Sequence, residues 1–354
     1  LIRMAHDMDD KPPKREMDML LTIGEQMSVS LMAMVMHKLG VPAVSLNAFQ
    51  VTMHTTSSHQ NARLKRIDTE RIRRELDARR IVIVTGFQGV DKYDDYTTLG
   101  RGGSDTTAVA LAAALHADAC EIYTDVDGVY TADPRKVPNA RKLKEITYDE
   151  MLDLATSGAG VLHNRSVEMA KKYGVPLVVR SSLNNSEGTV VKEVVSVERM
   201  LISGVALDTD AVRIAVLGLR DVPGVAFKVF DTLAKKNINV DVILQSIGRA
   251  GTKDISFTVN KDDLDEAVAT LEEHQERLGF KELHSERNIA KLSIVGSGML
   301  SNPGVAAKMF ESLYNEGVNI NMISTSEIRI TVLINEKDGI RAMNAVHDAF
   351  GLAD

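Results

Sequence analysis

The chain has 354 residues, room for two or three domains, and its 44% hydrophobic and 26% charged content is that of an ordinary folded protein. A formal net charge of −7 argues against nucleic acid as a bulk partner, and the single cysteine, Cys120, excludes an internal disulfide framework and fits a reducing cytoplasm. No run of about 18 apolar residues marks a membrane span and no signal peptide is evident, so no membrane partner is expected.

In chain order, an apolar helix is expected over 17–39, with the methionines from Met27 to Met36 as core filler and a stop near Gly40 and Pro42. Ala43 to Phe49 reads as a buried strand. The basic run Arg63 to Arg80 could be a nucleic-acid patch. However, Glu70 stands four before Arg74 and Glu75 four before Arg79, with Ile72 and Leu76 left to face inward, so a solvated helix over 68–79 is expected. Strands follow at Ile81 to Thr85, Glu121 to Thr124 and Leu177 to Arg180, and helices at 105–116, 149–155 and 166–173. Strands interleaved with helices imply an α/β layer structure with a mainly parallel sheet, which binds ligands beyond the carboxyl ends of its strands.

Two loops fall at that edge. Thr98 to Thr107 reads Thr-Leu-Gly-Arg-Gly-Gly-Ser-Asp-Thr-Thr and runs into an alanine-rich helix. Its glycines allow close approach of backbone to ligand, and a helix starting at Ser104 or Asp105 turns N–H groups and a positive dipole end on the same space. Arg101 adds a two-pronged donor for a carboxylate or a phosphate. The second loop, Tyr123-Thr-Asp-Val-Asp-Gly-Val-Tyr-Thr-Ala-Asp-Pro-Arg135, has turn chemistry at Asp127-Gly128 and Asp133-Pro134. By spacing alone, Asp125 and Asp127 are turn residues, a metal site or ribose and base contacts.

These two loops, with Arg15-Glu-Met-Asp-Met-Leu-Leu-Thr-Ile-Gly-Glu25 upstream, closely resemble the aspartate kinases of the amino-acid kinase superfamily over essentially the whole chain. The resemblance implies a three-layer αβα kinase domain and transfer of the γ-phosphoryl group of Mg-ATP to the side-chain carboxylate of L-aspartate, in lysine, threonine and methionine biosynthesis. It places the substrate's α-carboxylate on Arg101 and its amino group near Glu25, with Phe87, Gly102, Gly103 and Ser104 lining the pocket. Asp105 would orient the catalytic lysine. Tyr123, Thr124 and Asp125 would meet the adenosine end, and Val129, Tyr130, Thr131, Ala132, Asp133, Pro134 and Arg135 the base and phosphates. On the bland reading Glu25 is a plain helix residue, Ser104 and Asp105 are only caps, and Tyr130 is core. No resident metal site is expected beyond Mg2+ on the nucleotide.

The chain departs from the family at two places. The family opens with a strand bearing a Lys-Phe-Gly-Gly-Thr-type motif, and nothing of that kind precedes Leu1, so the chain is expected to start inside the kinase domain and to phosphorylate poorly by itself. Many relatives also have lysine where this chain has Gly160.

Beyond about residue 204 an internal repeat emerges. Pro223-Gly-Val-Ala226, Lys228, Phe230, Leu233, Asn239 and Ile243 recur 80 residues later as Pro303-Gly-Val-Ala306, Lys308, Phe310, Leu313, Asn319 and Ile323. Each copy shows the βαββαβ order of a ferredoxin-like module, with second strands at Asp254 to Val259 and Ile328 to Ile334 and second helices at 262–275 and 338–349. The copies resemble ACT domains, with boundaries expected at 1–203 for the kinase domain, 204–285 and 286–354, although the family usually gives the strand near Ser203 to Leu207 to the second module. The resemblance implies effector sites at Asp221, Val222, Pro223, Gly224, Val225, Ala226, Asn239, Val240, Asp241 and Gln245 on the first and at Val305, Ala306, Asn319, Thr325 and Ser326 on the second. Lysine and threonine are the implied effectors, and a homodimer or higher oligomer the implied assembly. A non-catalytic ACT-type regulatory protein is the alternative.

Overall fold

The computed structural model describes residues 1–194, 201–247 and 251–353. It divides into two compact units. The first comprises Leu1–Val129, Lys144–Ala155 and Gly160–Ser196, and the second Tyr130–Leu143, Thr156–Ala159 and Val197–Asp354.

In the first unit the apolar, β-branched runs form the expected strands. Ala43–Leu46 pairs in parallel with Ile81–Val84, and Cys120–Thr124 with Leu177–Ser181. Leu177–Ser181 is also antiparallel to Thr189–Lys192, which pairs in parallel with Glu145–Thr147. A further four-stranded sheet has the order Leu64–Arg66, His54–Thr55, Gln88–Val90, Tyr96–Thr98. Its strands are two or three residues long, too short to show a period of two, and they escape a sequence reading. The last of them leads into the glycine loop.

The first long helix, Lys14–Lys38, packs on Ala43–Leu46 and Tyr96–Thr98. Its methionines do not fill the core as expected: Met27 and Met34 are 63% and 65% exposed. The buried face is Met17, Asp18, Thr22, Val29 and Ala33, mostly small side chains that let the helix lie close to the sheet. Among the described residues this is the one helix long and apolar enough, by length and composition, to cross a membrane, contrary to the sequence expectation. Its inner face nevertheless carries a buried carboxylate, Asp18, bonded to Thr98 at the end of the strand Tyr96–Thr98, which makes it a layer of this fold.

The basic run forms the helix Glu70–Asp77 with Ile72 buried, but Leu76 is 45% exposed and the ion pairs differ from those expected. Glu75 bonds Arg71 and Arg80, each at 2.7 Å. Arg79 adopts φ 58, so the chain has left the helical register before Glu75 can pair with it.

In the second unit the first module runs Ala211–Arg220, Val225–Ala234, Ile243–Ile247, Thr252–Asn260, Leu264–Glu273 and Glu282–Glu286. The second runs Ile289–Val295, Val305–Asn315, Met322–Thr325, Arg329–Asn335 and Gly339–Ala349. The repeat extends to the backbone: Gly224 has φ 88 and ψ −2, Gly304 φ 92 and ψ −3. Val229, Leu233 and Phe257 are fully buried in one core and Met309, Leu313 and Val332 in the other, each contributing about 1.5–3 kcal/mol.

Two expected boundaries change. Gly204–Asp208 pairs antiparallel with Ile289–Val295, so it completes the second module's sheet and the first module is inserted between the parts of the second. Residues 130–143, expected in the kinase domain, join the second module: Ala132 and Val137 lie in its core, and the Val205 N–H donates to the Thr131 carbonyl at 2.7 Å.

Candidate functional site

The alanine-rich helix spans Gly103–Leu115, with Gly102 as its N-cap in the left-handed conformation (φ 66, ψ 16). It starts earlier than expected, so Ser104 and Asp105 lie within the first turn and no side chain caps the end. They are more than caps. A Cβ at Gly102 would lie 2.2 Å from the His163 side chain, and one at Gly103 would lie 2.9 Å from the Phe87 ring. Both positions therefore need glycine because an aromatic side chain occupies the space. Phe87 is itself left-handed at φ 69, an unusual conformation for a bulky residue. It is held there by the Thr107 hydroxyl, which accepts the Phe87 N–H at 3.1 Å and donates to the Gly103 carbonyl at 2.9 Å, and by the Leu99 N–H, which donates to the Phe87 carbonyl at 2.8 Å.

Three charged groups surround this framework. Arg101 is exposed at the loop tip and, among the described residues, forms no ion pair. Glu25 is half-buried and accepts the Gly86 N–H; burial raises its carboxyl above the ordinary range and that bond partly offsets the rise. Gly86 joins the two elements, because a Cβ there would stand 2.9 Å from the Ser104 hydroxyl. Burial likewise raises the Asp105 carboxyl, opposed by the charge and the backbone N–H of His163. His163 is pushed down by burial and by Arg165. The arrangement offers a cation for a carboxylate and, on the Gly86 side, an anion for an ammonium group.

These contacts bring Glu25, Phe87, Gly102, Gly103, Ser104 and Asp105 together, and Arg101 adjoins them in the chain. Sequence reasoning missed Asp18, Thr107, His163 and Arg165 as their supports. Asp18 had a readable signal, since it shares a helix stripe with Thr22, Val29 and Ala33. His163, at the start of the helix Asn164–Tyr173, had none. Gly160, where a lysine was expected, is left-handed with φ 53.

The second loop is not one piece. Tyr123, Thr124, Asp125 and Val129 belong to the first unit, at the carboxyl end of the strand Cys120–Thr124. There the Tyr123 hydroxyl donates to Glu121 at 2.8 Å, the Thr124 hydroxyl to Asp125 at 3.1 Å, and the Val129 N–H to the Thr189 hydroxyl at 2.8 Å. Tyr130, Thr131, Ala132, Asp133, Pro134 and Arg135 belong to the second unit. The side chains of Thr131 and Ala132 are not available to a nucleotide: Ala132 is core, and the Thr131 hydroxyl lies 2.9 Å from His347 Nε2, donates to the Leu352 carbonyl at 3.2 Å and accepts the Arg141 N–H at 2.9 Å. Asp133 is held on Arg135 at 2.9 and 3.1 Å, which keeps its carboxyl below the usual range.

Of the expected effector positions, Val225 and Val305 are each 6% exposed and lie in the module cores. Asp221 pairs with Lys253 at 2.8 Å. Asp241 pairs with Lys291 at 2.6 Å, and that buried ammonium also reaches Asp208 at 2.9 Å. Burial works against its charge but the two carboxylates outweigh it and raise its pKa. Asn239, Gln245, Thr325 and Ser326 are exposed, as are Val222, Pro223 and Gly224; Ala226, Val240 and Ala306 are half-buried, and Asn319 donates to Asn321 at 3.2 Å.

Residues 1–181 match the amino acid kinase family, and residues 214–275 and 292–350 match the ACT domain. The chain is 50% identical to the aspartokinase of Bacillus sp. (strain MGA3), over all of this chain and 86% of that protein. It is 50% identical to aspartokinase 2 of Bacillus subtilis (strain 168), with the same coverage. Its fold is similar to that of E. coli aspartokinase III in complex with aspartate and ADP, with a TM-score of 0.84 at 28% identity over 96% of this chain and 76% of that one. The lysine and aspartate complex of the same E. coli enzyme gives 0.75 at 29% identity, with the same coverage.

Proposed function

The chain belongs to the aspartokinases of the amino acid kinase family, and from that premise we propose that its glycine loop binds L-aspartate and directs the side-chain carboxylate to the γ-phosphoryl group of ATP. One observation carries this reading. Arg101 stands exposed on a loop whose backbone is tied down, while Glu25 is joined to the same loop through Gly86. An amino acid bears the complementary pair of charges: its α-carboxylate takes the Arg101 fork and its ammonium group the Glu25 carboxylate, which the ammonium group returns toward ionisation.

The nucleophile needs no general base, because an aspartate carboxyl with a pKa of about 3.9 is ionised at neutral pH. Phosphoryl transfer then depends on positioning and on compensating phosphate charge. Asp105, whose carboxyl burial raises, orients a cationic partner beside the transferring group, and that partner's charge opposes the rise. Tyr123, Thr124 and Asp125 meet the adenosine end of ATP, with Val129 lining the base and phosphates. No three His, Cys, Asp or Glu side chains cluster as ligands among the described residues. A Mg2+ carried on the phosphates would supply neutralisation of their charge.

The two ACT modules are the sensor for lysine, with threonine as a second effector. The helix starts after Gly224 and Gly304 receive the ligand's carboxylate, and Asp221, released from Lys253, receives its ammonium group. ACT pairing gives at least a homodimer, and the enzyme works in the cytoplasm. A purely regulatory protein would not need the glycine loop and Glu25 in this geometry. With the family's opening lysine strand present, ADP release from ATP is expected with aspartate and not with glutamate or carbamate, and calorimetry is expected to show heat on adding lysine. ADP release indifferent to the amino acid would overturn the substrate assignment, and no heat with either lysine or threonine the sensor assignment.

A further inference from the structure

Asp18 is a fully buried carboxylate in the helix Lys14–Lys38, and nothing in the proposed chemistry uses it. Its oxygens accept the Thr98 hydroxyl at 2.7 Å, the Thr98 N–H at 3.0 Å and the Gln60 N–H at 3.0 and 3.2 Å, and they lie 2.9 Å from His59 Nδ1. An ionised carboxylate has about four lone-pair sites, so this one is saturated. All its partners come from outside its own helix.

Those partners bear directly on the glycine loop. Thr98 is the last strand residue before it, and a Cβ at Gly100 would stand 2.8 Å from the Gln60 carbonyl, so the Gln60 segment is the surface against which Gly100 turns. A second clamp closes from the opposite flank. Arg165 donates to the Leu99 carbonyl at 2.7 Å and to the Ala62 carbonyl at 2.9 Å, while the Ala62 N–H donates to the Thr98 carbonyl at 2.9 Å. With the Leu99 N–H on Phe87, every backbone polar group of Thr98 and Leu99 is fixed two residues before Arg101.

We propose that Asp18 is a positioning residue for the substrate loop: by holding Thr98 and Gln60 together it sets where Arg101 presents its guanidinium, with Arg165 as its counterpart on Leu99. The inference rests on the assignment of Arg101 to the substrate's α-carboxylate. A carboxylate suits the task because charge-assisted bonds are roughly twice as strong as neutral ones and can gather several backbone donors at one point. Displacement of a binding group by about 1 Å can cost on the order of 100-fold.

The test compares Asp18→Asn, Thr98→Val, Thr98→Ser and Arg101→Ala in steady-state kinetics with each substrate varied. Asp18→Asn and Thr98→Val are expected to raise KM for aspartate about tenfold while KM for ATP stays within about twofold, and Thr98→Ser, which keeps the hydroxyl, to restore most of the affinity. Thr98→Val preserves the volume and carries the test if Asp18→Asn does not fold. A fall in unfolding midpoint with both KM values unchanged, or an equal rise in both, would show Asp18 to be structural only. If Arg101→Ala raises KM for aspartate and Asp18→Asn and Thr98→Val do not, the positioning role alone fails. If Arg101→Ala leaves that KM unchanged, the site assignment fails and this inference with it.

Discussion

The two glycine-bearing loops look alike in sequence and are built differently. Residues 98–107 close on themselves inside one unit: Gly102 and Gly103 take the rings of His163 and Phe87, and Thr107 ties the Phe87 N–H to the Gly103 carbonyl. Residues 123–135 pass from one unit to the other between Val129 and Tyr130. A motif's local conformation follows from its glycines, prolines and turn residues, whereas the body it belongs to follows from what its few buried atoms meet. Thr131 and Ala132 meet the second ACT module.

The contrast breaks most sharply at Arg101. Arg101→Ala is expected to raise KM for aspartate about 100-fold with little change in KM for ATP, and Arg101→Lys to recover only a small part of the loss because an ammonium group lacks the planar fork. Steady-state kinetics checks this, and a KM for ATP that rises in step would mean the two loops are not functionally separate.

A pair of stability variants sharpens it next. Gly102→Ala places a Cβ against His163 at a left-handed position and is expected to cost the first unit about 2–3 kcal/mol. Thr131→Val strands the Arg141 N–H and the His347 ring and is expected to cost the second unit about 1–3 kcal/mol. Hydrogen exchange should show faster opening of residues 103–115 in the first variant and of 339–349 in the second. Accelerated exchange in both regions for either variant would mean that the units unfold as one.

The smallest effect lies in pH. Burial raises the Asp105 carboxyl above its unfolded value, so folding is favoured below the ordinary carboxyl range and that advantage is lost as pH rises through the raised folded value. Asp105→Asn removes the penalty of a buried charge. It is expected to raise the urea midpoint slightly at pH 8, with the gap closing towards pH 4, while activity falls. A gap of equal size at both pH values would refute the buried-charge account.

The order of major helices and strands, the glycine loop, the duplicated modules and the family were all legible in the chain, because helical period, cap and turn chemistry and a repeated Pro-Gly signature are local properties. Of the proposed site, Arg101 and Glu25 were legible. Its supports were not. Asp18 acts on Thr98 and Gln60, Arg165 on Leu99 and Ala62, and His163 on Gly102, across gaps that no spacing rule spans. Tertiary structure alone decided that Met27, Met32 and Met34 of the first helix face outward and that Tyr130 begins the second unit. In each case the physical reason is the same: burial and strand pairing are settled by partners distant in the chain, and a sequence pattern records only that a residue is suited to be buried, not which surface will bury it.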